Sequence, residues 1–201
     1  MVDAGIGRLL IASLHQGIAD VVPARLPFYE NWLTPPGLRD GKFGLAPLHA
    51  VLSFLRLEGR ATYEQVMTRA GQYTADWGFA ELSSWERSIV RRLPPALRAR
   101  LALHLSRRLV KDTYRGSRAR TRLRKGSGTM EIRASIFCEV RETMAWHTCV
   151  FYAAAVERFL RRFDLDARVD LSRCRASGGP GCAMTVTVNG QLVETPAAEA
   201  A

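Results

Sequence analysis

Lysine is scarce in this chain of 201 residues, because it occurs only at Lys42, Lys111 and Lys125 while arginine supplies the other 26 basic side chains. The net charge is nevertheless +10, which taken alone favours a polyanionic partner such as nucleic acid. The surplus is local: residues 91–125 contain 13 basic residues and one acid, Asp112, and so carry +12, which leaves −2 for the remainder. Any conclusion from charge therefore concerns this one segment.

Long apolar runs are also missing. No run approaches the roughly 18 residues that a membrane-spanning helix needs, and the first residues, Met1 to Gly5, lack the basic and apolar pattern of a signal peptide. Hydrophobic residues make up 47% and charged residues 24%, a composition typical of a globular protein with a buried core. We therefore expect a cytoplasmic protein without a membrane span.

Helical periodicity dominates the first half of the chain. Apolar residues recur at helical spacing, with breaks at prolines and glycines. A short apolar piece over 26–33 ends at the breaker 34–37, and Ser83 or Ser84 is suited to cap a helix. The pattern predicts helices over 6–22, 45–57, 62–79, from residue 84 onwards, and over 96–114.

The pattern then changes to strands. Residues 117–125 alternate, with Arg118, Arg120, Arg122 and Arg124 on one face. Further strands are predicted over 129–140, 169–174 and 182–188, a turn over 126–128, a helix over 149–163 and a hairpin-type turn at Asn189-Gly190. The sequence therefore predicts an α+β fold: a helical N-terminal layer followed by an antiparallel-sheet-plus-helix (ββαββ) unit. We divide it into a helical region 1–93, a ligand-binding domain 94–190 and a flexible tail 191–201.

The four cysteines all lie in the last third of the chain. Cys149 opens a helix, Cys174 closes a strand, and Cys182 opens the next strand across a Gly/Pro turn. Three thiolates and one further ligand would complete a tetrahedral zinc site. Cys138 is the first candidate for the fourth ligand, followed by Glu139 and His147. The alternative is that these cysteines are small buried residues.

Two segments carry a family resemblance. The helix that starts at Cys149, followed by the hairpin Cys174-Arg-Ala-Ser-Gly-Gly-Pro-Gly-Cys182, resembles the 4-vinyl reductase domain family over about residues 94–188. Leu93-Pro94-Pro95 and the arginine-rich helix after it resemble the bacteriochlorophyll-biosynthesis branch. Relatives include aromatic-sensing domains of transcriptional activators and subunits of vesicle-tethering complexes.

The resemblance implies a metal site and a ligand. In the sensor branch, three cysteines and one glutamate hold a structural zinc, which would correspond to Cys149, Cys174 and Cys182. The glutamate has no counterpart here, where the sequence reads Ile136-Phe137-Cys138. The family holds apolar ligands between helices and sheet. This implies a hydrophobic, tetrapyrrole-like ligand such as a bacteriochlorophyll precursor, carried rather than transformed. The candidate ligand-binding residues are Trp146, His147, Phe151, Tyr152 and Phe159. Alternatively, they are core residues.

An enzyme would need a source of electrons or a nucleophile. No Gly-x-Gly-x-x-Gly follows a strand, no Ser/His/Asp set stands out and no iron–sulfur spacing is present. We assign no catalytic residue, and a vinyl reductase with an external cofactor stays as an alternative. The arginine segment is a solvated face or a docking face for an acidic protein or a ligand carboxylate. A regulatory or nucleic-acid-associated role, which would require aromatic stacking residues, is the other alternative, and a homodimer is also considered.

Overall fold

The computed structural model describes residues 5–33, 44–139 and 143–191. Within them, helices are followed by a four-stranded antiparallel sheet that is interrupted by one further helix. The predicted α+β class is therefore confirmed, including the strand, strand, helix, strand, strand order of the second half. The breaker 34–37 and the tail from residue 192 lie outside the described residues.

The helices form a layer that packs on one face of the sheet and on the helix inserted into it. The helices of the layer are α1 (Arg8–Val21), α2 (Leu26–Glu30), α3 (Leu45–Leu57), α4 (Arg60–Glu81), α5 (Ser84–Arg92), α6 (Pro95–Leu105) and α7 (Arg107–Thr113), and the inserted helix is α8 (Val150–Arg161). The cap predicted for α5 is Ser83: its hydroxyl accepts from the Glu86 amide while the Glu86 carboxylate accepts from the Ser83 amide. This reciprocal capping box fixes where the helix begins.

Helix α4 is the centre of the helical layer, since it packs against α1 on one side and α8 on the other. Glycines permit both close approaches. A Cβ at Gly17 would lie 2.9 Å from the Val66 carbonyl oxygen. A Cβ at Gly71 would collide with the Phe151 carbonyl oxygen. Side chains of both halves of the chain share one continuous core. The division at residue 93 stays a prediction from sequence.

The sheet has the strand order β1-β2-β4-β3, with all neighbours antiparallel. Its strands are β1 (Arg118–Arg124), β2 (Ser127–Arg133), β3 (Leu165–Arg173) and β4 (Cys182–Gln191). Lys125 and Gly126 alone form the turn between β1 and β2, with φ of 50° and 79°. Positive φ at both positions is typical of a two-residue hairpin turn, so Ser127 and Gly128 belong to β2 rather than to the predicted turn.

Two strand predictions require correction. Strand β2 ends at Arg133 instead of residue 140, because Ala134 has a φ of 52° and turns the chain into a short 3-10 helix, Ile136–Cys138. The predicted hairpin turn at Asn189-Gly190 is also wrong. Strand β4 continues to Gln191, and a register shift opposite Asp166 accommodates Asn189 as an extra residue, a β-bulge. Strand β3 correspondingly begins at Leu165, four residues before the prediction.

The helix predicted over 96–114 is broken into α6 and α7 at Ser106. The Ser106 hydroxyl donates to the Leu103 carbonyl, and the Leu109 amide bonds to the Ser106 carbonyl in a 3-10 pattern. Along the predicted leucine stripe, Leu97 is 51% exposed, while Leu105 before the break and Leu109 after it are buried.

None of the helices in the described part of the chain is long and apolar enough to cross a membrane. The cytoplasmic location stays a prediction.

Gly71→Ala is expected to lower the free energy of unfolding by about 2 kcal/mol, because a filled interface loses about 1–3 kcal/mol when overpacked. The measurement is urea unfolding followed by circular dichroism. Gly44→Ala is the control: it has a φ of −76° and its nearest side-chain neighbour, Pro47, is 3.5 Å from the added carbon. We expect the control to change stability by less than about 1 kcal/mol. Equal stability of the two variants would contradict the close packing of α4 on α8.

Candidate functional site

Four separate elements deliver the four cysteines to one place. Cys138 ends the 3-10 helix that follows β2, and Cys149 is the residue that precedes α8. Cys174 directly follows β3, and Cys182 is the first residue of β4. All four are buried, at 4% exposure or less. The predicted cluster therefore exists, and Cys138, the first candidate for the fourth position, belongs to it.

The sulfur atoms lie within 4.8 Å of one another. The Cys138 sulfur is 2.9 Å from that of Cys149, 3.2 Å from that of Cys182 and 3.3 Å from that of Cys174. These separations exceed the roughly 2.05 Å of a disulfide. Four sulfurs at about 2.3 Å from one tetrahedral ion would be about 3.8 Å apart. The cluster therefore has the size of a site for a single metal ion.

Hydroxyls and amides surround the sulfurs. The Thr148 hydroxyl lies 3.4 Å from the Cys138 sulfur and 3.6 Å from the Cys174 sulfur, and the Ser135 hydroxyl lies 3.4 Å from the Cys149 sulfur. In the Gly/Pro turn, the amides of Ser177 and Gly179 both donate to the Cys174 carbonyl. The hydroxyl contacts orient the thiols of Cys138, Cys149 and Cys174, and the amide bonds hold the backbone of Cys174.

Hydrogen bonding among the four thiols lowers the pKa of two of them and raises the pKa of the other two. Bonds with Cys149, and also with Cys182, lower the pKa of Cys138 to about 7. Hydrogen bonds with the other three thiols, of which the bond with Cys138 contributes most, lower the pKa of Cys174. The hydrogen bond with Cys138 is also the largest cause that raises the pKa of Cys149 and that of Cys182. Burial opposes several negative charges in one place, so a divalent cation is the group that would allow all four thiols to ionise.

The helical layer supports the cluster through two side chains. The Tyr63 hydroxyl of α4 donates to the Thr148 carbonyl at 2.9 Å, and burial raises the pKa of this phenol. The Arg56 guanidinium of α3 donates to the Phe137 carbonyl at 3.1 Å. Each bond reaches the residue directly before a cysteine. Sequence reasoning missed both, because the partners are more than 80 residues apart and no local pattern links them.

The two other candidates for a ligand do not join the cluster. Glu139 pairs instead with His49, at 3.2 Å. His147 is half-buried and is not one of the clustered residues.

The predicted ligand-binding aromatic residues make three separate sets of ring contacts. Phe151 and Tyr152 are fully buried and pack on Phe137, with ring centroids 4.7 Å and 5.1 Å away. Phe159 packs elsewhere, on Phe79 and Phe163. Trp146 is half-buried against the Tyr63 ring, 4.8 Å away. The structure thus does not bring these five residues into one site, and their role in ligand binding stays a prediction.

A cleft of about 380 Å³ opens between helix α6 and the sheet. Apolar groups from Leu97, Leu123 and Val188 line it, and the basic residues Arg100 and Lys125 also border it. Leu97 is 51% exposed there. Sequence reasoning did not identify this cleft, because Leu97 lies on the apolar stripe of its helix and periodicity predicts that such a position is buried.

The predicted arginine face is present on β1. Arg118, Arg120, Arg122 and Arg124 are exposed, while the residues between them are half-buried. We refer to these four side chains as the arginine face. Across the sheet, Arg118 lies opposite Arg133, which adds positive charge, and Arg120 lies opposite Glu131.

Comparisons with known proteins support the fold of this chain and no more than the fold. No family model matches the chain, and no curated protein matches it. Among solved structures, the chain is similar to a trafficking protein particle complex subunit 3 from Naegleria fowleri, which is covalently bound to palmitic acid. The TM-score is 0.54 at 11% identity, over 75% of this chain and 95% of that one. At this identity the similarity shows a shared fold. The resemblance to the 4-vinyl reductase domain family stays a prediction.

Tyr63→Phe is expected to lower the free energy of unfolding by about 1–2 kcal/mol, because it leaves the buried Thr148 carbonyl without its donor. Tyr73→Phe is the matched control on the same helix, since its hydroxyl bonds to Asp20 at the surface. We expect less than about 0.5 kcal/mol for this control. Both values come from urea unfolding. If Tyr63→Phe costs no more than Tyr73→Phe, helix α4 does not support the cysteine cluster.

Proposed function

We propose that this chain is a small-molecule-binding protein of the 4-vinyl reductase domain type, a carrier or accessory factor that holds a hydrophobic ligand. A structural metal ion braces the fold. The single observation that carries the proposal is the buried group of four cysteines, which the resemblance anticipated at three of its positions.

Zinc is the proposed ion. It would be held by Cys138, Cys149, Cys174 and Cys182, since tetrahedral all-sulfur sites are typical of zinc. Four protein ligands leave no open position for a water or a substrate, and such closed sites are structural rather than catalytic. When bound, the ion would supply positive charge that keeps the thiols ionised and joins four segments of the chain.

Metal analysis of purified protein is expected to give about one zinc ion per chain, because the four sulfurs complete a single tetrahedral site. Cys174→Ser is expected to lose most of the zinc and to unfold at a lower temperature. Ser177→Ala is the control, because it removes a hydroxyl from the same turn but keeps all four sulfurs. Wild-type protein without zinc or another tightly bound ion would show that the cysteines serve only as core residues.

The cleft beside α6 is the proposed place for the ligand. Its apolar lining would gain about 25 cal/mol for each Å² removed from water, and Arg100 and Lys125 are placed to pair with a carboxylate. These features favour a flat or elongated apolar molecule with an acidic group. A tetrapyrrole intermediate with its propionate side chains is such a molecule. The similar Naegleria protein is bound to palmitic acid, which supports this ligand class.

The metal site and the cleft are separate. Cys182 begins β4, whereas Val188, which lines the cleft, lies six residues further along the same strand. At about 3.3 Å per residue, the two sites are about 20 Å apart. The metal would therefore stabilise the sheet without contacting the ligand.

Leu97→Gln is expected to weaken pigment binding about tenfold, because a polar amide replaces the exposed apolar surface of the cleft. The measurement is an absorbance and fluorescence titration with a chlorophyllide-type pigment. Leu57→Gln is the matched control, since Leu57 is 82% exposed and does not line the cleft. A parallel titration uses nucleic acid at about 150 mM salt. Micromolar nucleic-acid binding without pigment binding would contradict the proposal.

A second candidate function is the binding of an acidic protein at the arginine face. The observation that favours it is the row of four exposed arginines on an edge strand, since guanidinium groups pair with carboxylates through two hydrogen bonds. A homodimer through this face is less favoured, because it would bring two rows of like charge together.

A further inference from the structure

A second cleft, of about 480 Å³, lies where helix α7 meets the start of β1. It is separate from the metal site and from the apolar cleft, with which it shares no lining residue. Its lining includes five cations, Arg107, Arg108, Lys111, Arg115 and Arg118, and no carboxylate. We refer to these five as the basic cleft. Such a volume is within the range of small-molecule sites.

Of the five cations, Arg108 forms an ion pair, and the neighbouring acid Asp112 interacts electrostatically with Lys111 and Arg108. Arg108 pairs with Glu86 at 3.0 Å. Among the residues that the structure describes, Arg107, Lys111, Arg115 and Arg118 form no ion pair. All four of these side chains are exposed and therefore accessible to a ligand.

The positions of the charges are unfavourable for the chain alone. Arg107 and Lys111 are four residues apart on α7, and Arg108 and Lys111 are three apart, spacings at which like charges on a helix repel. A concave surface lined by one sign of charge also concentrates the electric field. A multivalent anion would relieve the repulsion between these side chains and would be attracted by the concentrated field.

The chemistry of the lining indicates which anion. Arginine binds phosphate oxygens through two parallel hydrogen bonds, and lysine adds a point charge. A terminal phosphate carries about −1.5 to −2 charges at pH 7. The aromatic ring among the lining residues on which a base could stack is the imidazole of His104, and the lining adds no phenylalanine, tyrosine or tryptophan. The groups present therefore suit a chain of phosphates better than a nucleoside.

We propose that the basic cleft binds the triphosphate group of a small polyanion, through Arg107, Lys111 and the neighbouring arginines. The triphosphate is the recognised chemistry, and its source is a nucleotide or an inorganic polyphosphate. This proposal is independent of the apolar ligand and of the metal ion.

The test is isothermal titration calorimetry of the full chain with sodium tripolyphosphate and, separately, with ATP. A salt concentration of about 150 mM screens attraction beyond about 8 Å. Wild-type protein is expected to bind both probes. Equal affinities would identify the phosphate chain as the whole ligand, whereas tighter binding of ATP would identify a nucleotide as the source. Both results support the cleft.

The variant R107E/K111E is expected to weaken binding by about tenfold or more, because two charge-assisted contacts become repulsive. The matched control is R122E/R124E on β1, which changes the net charge equally but lies outside the cleft. We expect less than about a twofold change for it, since distant surface charges are screened. If the circular dichroism of R107E/K111E shows a loss of helix, the single variant K111Q is used in its place. It is also expected to weaken binding of the phosphate probes. Absence of binding to wild-type protein, or equal losses in variant and control, would overturn the proposal.

Discussion

Four thiol sulfurs lie within 4.8 Å of one another in a buried place, and this crowding constrains the second half of the molecule. The thiols belong to the segment after β2, the start of α8, the end of β3 and the start of β4. Without a cation, burial limits how many of the four thiols can ionise, and the sulfurs then only form hydrogen bonds with one another. With a divalent ion, all four become ligands of one centre. The cluster then joins segments that are far apart in the sequence.

The helical layer and the cluster depend on each other. Helix α4 packs on α8 through Gly71, and from the same helix Tyr63 reaches the carbonyl of the residue before Cys149. The apolar cleft lies beside α6 and the basic cleft lies beside α7. The apolar cleft therefore lies about 20 Å along β4 from the cysteine cluster, whereas the basic cleft borders the start of β1, at the same end of the sheet as Cys182. In this account the metal contributes stability, while recognition takes place at the clefts.

Local patterns predicted the features that depend on neighbouring residues. The alternation of β1, the cap at Ser83 and the cysteines at element boundaries are of this kind. Tertiary context decided the others: Ala134 adopts a positive φ that leads the chain towards Cys138, Ser106 breaks a helix that periodicity favours, and Asn189 enters a bulge. The aromatic residues near Cys149 form a packed core because α4 covers them, a contact that no local pattern reveals.

The proposed metal site requires that the four thiols bind one tetrahedral ion. Cobalt(II) substitution tests it most directly, because thiolate ligation and tetrahedral geometry both have signatures in the absorption spectrum. About one cobalt ion per chain is expected to bind, with an intense thiolate-to-cobalt charge-transfer band and strong visible bands of tetrahedral geometry. These signals are expected to disappear in Cys174→Ser. A weak spectrum of octahedral cobalt, or no binding by fully reduced protein, would show that the four thiols do not hold one tetrahedral ion.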